Sequence, residues 1–266
     1  RAGRSRAARL AGLAAAPPPD ARRPPARAQP RPSDALTRGL RSLLPMRKRL
    51  EAGMLDLDAI MRALSTRRPL FHSEADFQHA LAWEIQLRFP DASIRLERPV
   101  RLHNRAFYVD IWLKIADKTF VLELKYKTRK LAGEIGGEPY FLLLQGAQDS
   151  GRYDFIKDIQ RLEEIAFSDP SATGYAIFLT NDSSYWTPSR KTLVPADHAF
   201  RLDPMRELHG TLSWTGNVSP GTVAGREGDL RLDGEHLVDW RDYSSLDVDR
   251  NGIFRYLLLQ ILQRNK

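Results

Sequence analysis

Cysteine is absent from all 266 residues, which excludes disulfides, thiolate zinc sites and thiol nucleophiles and sets the expectation of a cytoplasmic protein. Histidine is sparse. The six residues, His72, His79, His103, His198, His209 and His236, form no HExxH motif and no tight group, which argues against a zinc enzyme. No stretch approaches the roughly 18 consecutive apolar residues of a membrane span. Positive charge is also scarce where it would count. The net charge is +8, but residues 1–33 hold eight arginines against the single acid Asp20, and the remainder carries 33 basic and 32 acidic side chains, or +1. Bulk charge therefore gives no argument for a nucleic-acid partner, and any such argument must come from a site.

What the chain does contain is ordered by composition and periodicity. Residues 1–35 are Arg, Ala and Pro with little to bury, and are expected to be disordered. Residues 36–68 read as a helical lead-in of two short helices, ALTRGLRSLL and LDLDAIMRAL, separated at Pro45. Ser73 is a fitting N-cap for SEADFQHALAWEIQLRF, on which Phe77, Leu81 and Ile85 define the buried arc. Three strand patterns follow, SIRLERPV, FYVDIWLKI and KTFVLELKY, the last two joined as a hairpin. AGEIGGEP reads as a flexible connector. A helix follows over residues 150–167, then the strand GYAIFLTN, short strands near Leu212 and His236, and a final helix, FRYLLLQILQ. Helix, three strands, helix, strand is the order of an α/β fold with a mixed central sheet.

Within this frame the hairpin YVDIWLKIADKTFVLELKYKT, residues 108–128, carries charge where apolar residues are expected. Alternation puts Phe120, Leu122, Leu124 and Tyr126 on one face of its second strand and Thr119, Val121, Glu123 and Lys125 on the other. On the first strand, Val109, Ile111, Leu113 and Ile115 form the apolar face and leave Asp110 opposite, beside Tyr108 and Trp112. Ordinary antiparallel register then gathers Asp110, Glu123 and Lys125 on one side of the sheet. Ionised groups in such a place must be paired or bound to a metal. Two carboxylates and the Leu124 carbonyl are hard oxygen ligands suited to magnesium, with Lys125 placed to orient water or stabilise charge on a phosphoryl group.

Asp110, twelve intervening residues and Glu123-Leu124-Lys125 resemble the signature of the PD-(D/E)XK nuclease superfamily, across roughly residues 71–181. Val109 stands where the eponymous proline would be, and Gln148 and Tyr153 are five apart rather than the four of the exonuclease branch. The resemblance implies a restriction-endonuclease-like αβββαβ core with C-terminal β/α additions, occupying residues 69–266. It implies a Mg2+-dependent nuclease, with Mn2+ as substitute, that hydrolyses DNA phosphodiester bonds, an endonuclease of restriction or repair type that in many members pairs as a homodimer. Asp110 and Glu123 would ligate the ion, Lys125 would assist hydrolysis, and a glutamate of the preceding helix, Glu74 with Glu84 as the alternative, would complete the metal shell.

The alternative is a catalytically inactive nucleic-acid-binding or protein-interaction module on the same fold. On the helix at 150–167, Asp154, Lys157, Asp158 and Arg161 share a side, where Lys157 and Arg161 could touch phosphates or merely be solvated. DVDRNG, residues 247–252, imitates half of a calcium loop but has Leu258 where the closing glutamate is needed, so it reads as a turn with a cap.

Overall fold

The structure, a computed structural model, describes residues 55–102, 105–189, 193–248 and 250–262. The expected disordered tail and the first lead-in helix lie outside these residues. Two helices come first. α1 (Leu57–Arg67) is capped by Asp56, which accepts from the Ala59 N–H. α2 (Glu74–Arg88) is capped by Ser73, whose hydroxyl accepts from the Asp76 N–H at 3.1 Å. Strands β1 (Ser93–Leu102), β2 (Arg105–Ile115) and β3 (Lys118–Lys127) follow as an antiparallel meander. Beyond them lie β4 (Leu131–Ile135), β5 (Glu138–Leu142), α3 (Gln148–Ser168) and β6 (Ala172–Thr180). The rest comprises β7 (Glu207–Leu212), the short α4 (Pro220–Val223), β8 (Leu230–Leu237), β9 (Trp240–Ser245) and β10 (Ile253–Ile261). No helix among the described residues is long and apolar enough to cross a membrane.

The central sheet has six strands in the order β1-β2-β3-β6-β10-β9. Only β3 and β6 run parallel, so the sheet is mixed and the fold is α/β, as expected. α3 makes the crossover between those two strands, the connection that a parallel pair requires. One sheet face is covered by α1 and α2, burying Leu57, Ile60, Phe77, Leu81 and Ile85 against Leu122, Leu124 and Tyr126. The other is covered by α3 and the β7–β8 hairpin, burying Phe155, Ile159 and Leu162 against Val121, Ala176 and Phe178. β6 is apolar on both sides because it is covered on both sides.

Three expectations are corrected. The final helix is absent: FRYLLLQILQ supplies β10, which pairs with β6 on one edge and β9 on the other. Phe254, Tyr256 and Leu258 face the α1–α2 layer, and Leu257, Leu259 and Ile261 face the α3 layer. A run apolar on every side suits a buried helix or a buried strand equally, and partners decide. AGEIGGEP is not a bare connector but most of the β4–β5 hairpin, turned by Gly136 and Gly137 at φ 60° and 83°. Its Leu131, Tyr140 and Leu142 are buried in the core beside α1 and α2. Lastly, Val109 does not share a face with Ile111 and Leu113. It packs in the α3 layer while they pack in the α2 layer. The switch falls between the pairs Leu96↔Ile111 and Arg98↔Val109, where Glu97 takes φ 49° opposite Asp110. Part of the 247–252 segment lies outside the described residues; across it the Leu246 N–H donates to the Gly252 carbonyl, just ahead of β10.

Candidate active site

β2 and β3 pair from Ile115↔Lys118 up to Ile111↔Leu122, and there the ladder ends. The next residues along, Asp110 and Glu123, stand opposite each other where the strands part. Two carboxylates take over the acceptor role that β2 gives up. Asp110 Oδ2 accepts from the Leu124 N–H at 2.6 Å, and Glu74 Oε2 accepts from the Tyr126 N–H at 2.7 Å. Alternate amides on the opened edge of β3 are thereby satisfied, as buried backbone donors must be. Glu74 can do this because it is the first residue of α2, delivered to the strand by the Ser73 cap.

Gln78, one helical turn further along, completes the junction. Its Nε2 donates to the Asp110 carbonyl at 2.7 Å and to Glu97 Oε1 at 2.8 Å, tying α2 to the irregularity in β1 and β2. Sequence reasoning overlooked Gln78, although its i+4 spacing from Glu74 was a usable signal. Glu84, the alternative helix carboxylate, plays no part here. It is buried in ion pairs with Arg67 and Arg88 towards the other end of α2.

Glu123 and Lys125 share the α3 face of β3, as alternation requires. Glu123 is only 3% exposed, and its Oε1 is buried with no hydrogen-bond partner among the described residues. Lys125 Nζ lies 2.8 Å from Oδ2 of Asp158 on α3, and Asp158 Oδ1 accepts from Arg161 Nη1 at 3.0 Å. Asp158 is 4% exposed, so the charged side expected for α3 turns inward at this position. Lys157 forms no hydrogen bond or ion pair with these groups among the described residues, and Asp154 pairs with Arg226 instead.

The electrostatics follow from this crowding. Burial is the largest influence on the Asp110 carboxyl, pushing it up to about 6 from 3.8 against the Leu124 amide and Lys125. Burial lifts Glu123 well above the ordinary carboxylate range, helped by the negative charges of Asp158 and Asp110. Burial also raises Asp158, with Lys125 pulling the other way. Burial is also the largest single influence on Lys125 and lowers it, yet Asp158, Glu74 and Asp110 together outweigh it and hold the ammonium above its usual range. It is a fixed cation, suited to stabilising negative charge and unsuited to removing a proton from water.

Asp110, Glu123 and Lys125 are thus brought together, and Glu74 lies within their electrostatic field. No group of three or more Asp, Glu, His or Cys side chains among the described residues is spaced to hold a metal ion. Glu74 and Asp110 each commit one oxygen to the backbone of β3 and keep the other. A two-carboxylate site is compatible with magnesium, which keeps several waters and commonly takes one or two carboxylates with substrate phosphate. The sealed oxygen of Glu123, set beside a second carboxylate, is a hard donor atom with no hydrogen-bond partner among the described residues. No protein-family model, curated protein or solved structure matches the chain.

Proposed function

We propose that the chain is a magnesium-dependent nuclease, with manganese as substitute, that hydrolyses DNA phosphodiester bonds on a restriction-endonuclease-like core. The reading rests on Glu123, a sealed carboxylate with an unpartnered oxygen, facing Asp110 across the point where β2 leaves β3. The order α2, β1, β2, β3, α3, β6, interrupted by the β4–β5 hairpin and with β6 parallel to β3, supports the same reading.

Asp110, Glu123 and the Leu124 carbonyl would hold the ion. Bound there, magnesium would polarise the phosphodiester and acidify its own water. Lys125, kept charged by Asp158, stabilises negative charge developing on the phosphoryl oxygens. Glu74 fixes the end of β3 and adds to the local negative field.

A second reading has one observation in its favour. Capping β3 amides is a structural task that Asp110 and Glu74 would perform equally in an inactive binding module. Calorimetry and cleavage separate the two. Plasmid, linear and branched DNA are incubated with Mg2+ or Mn2+ and the intact chain, Glu123→Gln or Lys125→Ala. Each variant should lose about 10²–10³-fold in cleavage rate while remaining folded. Unchanged cutting by both variants rules the mechanism out, and the absence of saturable metal binding supports the module.

A further inference from the structure

Asp158 divides one buried carboxylate between two cations. Oδ2 pairs with Lys125 Nζ at 2.8 Å and Oδ1 takes the Arg161 N–H at 3.0 Å. Burying such a group is costly unless its partners are fixed, and here they are fixed from more than one side. Lys125 is anchored on β3, and the Arg161 guanidinium also lies over the Phe107 ring at 5.3 Å from its centroid. Yet Arg161 differs from Lys125 in exposure. Its side chain is 32% exposed, against 19% for Lys125, and Asp158 is the only residue described as taking a hydrogen bond from it. Its partly exposed five-donor fork is within reach of a ligand from solvent. Arg161 also acts on Glu123, whose negative charge it favours, so it stands at the rim of the same site.

We infer that Asp158 is a positioning residue that aims Lys125 at the reacting phosphate and Arg161 at a neighbouring phosphate of the same strand. The inference rests on the nuclease reading for the first role and on phosphate chemistry alone for the second. Arginine is suited to the second because its planar fork matches phosphate oxygens. A carboxylate between the two cations keeps them from repelling each other and sets their spacing. α3 carries both Asp158 and Arg161, one turn apart, and β3 carries Lys125, so the spacing is set between one helix and the sheet strand beside it.

The test uses the intact chain and a short duplex in Ca2+, so that binding is read without relying on cleavage. Anisotropy titrations over a range of salt give the slope of log affinity against log salt. Arg161→Gln, at a partly exposed position that should fold, is expected to make the slope shallower by about 0.9, the loss of one phosphate contact. Asp158→Asn should cause a similar change, and the double variant should add nothing further, because both remove the same contact. In Mg2+, Asp158→Asn should also lower kcat by about 10–100-fold, with partial recovery in Asp158→Glu.

A slope indifferent to Arg161→Gln overturns the inference even if the chain cuts DNA. Full additivity of the two changes overturns the positioning role. An Arg161-dependent slope without any cutting leaves the phosphate contact standing and removes the nuclease reading. No duplex binding by the unsubstituted chain overturns both.

Discussion

A carboxyl group sealed against a sheet face, with Asp110 and Asp158 for neighbours, gives up its proton reluctantly, and the fold bears the cost at neutral pH. Asp110 makes the cost countable. Its carboxyl is protonated up to about 6 when folded and up to 3.8 when unfolded, so between those values the native state binds more protons. The stabilisation from this group is complete below 3.8 and lost as pH rises through about 6, on the order of 3 kcal/mol in all. Glu123 pushes in the same direction. Thermal unfolding in EDTA should therefore show the contribution of these two groups falling from pH 4 to pH 7. Asp110→Asn should flatten that part of the profile and raise the midpoint at pH 7. A profile unmoved by the substitution would contradict the environment described. Glu123 and Lys125 were legible at this scale because strand alternation is a local rule that β3 obeys, whereas at Asp110 that rule breaks and only the hairpin register places it beside Glu123. Asp158 was not legible, since on a helical projection it is one charge among Asp154, Lys157 and Arg161, and its burial depends on a lysine from a distant strand.

Elements were legible where period and caps agreed. α2, β1 to β3, α3 and β6 all follow from Ser73, from alternation and from apolar spacing. The failures share one cause, that the deciding partner lies far away in sequence. β10 is apolar on every side, and only β6 and β9 make it a strand. The face switch at Asp110 is equally invisible locally, for it needs Glu97 at φ 49° on the neighbouring strand and Gln78 from α2. The position of β10 carries a prediction. A chain ending at residue 250 should fail to unfold cooperatively in urea, because β6 would lose its partner on one edge and both layers would lose apolar cover. The segment 71–181 alone should fail likewise, although it contains every residue of the candidate site. A sharp transition in either would show that β10 is an accessory.

For the whole molecule, charge and chemistry are separated. Residues 1–33 carry +7 and the remainder +1. If duplex DNA is the ligand, most of the non-specific, salt-sensitive affinity should come from the arginines of that segment, each worth a slope of up to about 0.9. Removing residues 1–33 should weaken binding steeply at low salt and flatten the salt dependence, with little change in kcat measured at saturating DNA. An unchanged salt slope would place the phosphate contacts elsewhere on the protein.

Among the described strands, β10 is synthesised last, yet it lies inside the sheet rather than at its rim. Until residue 261 has emerged from the ribosome, β6 presents an open row of amides and carbonyls between two greasy surfaces. A nascent chain in that condition is a substrate for chaperones and a hazard to its neighbours. Completion of the sheet therefore waits on the synthesis of β10, and the junction between β2 and β3 lacks its finished framework until then.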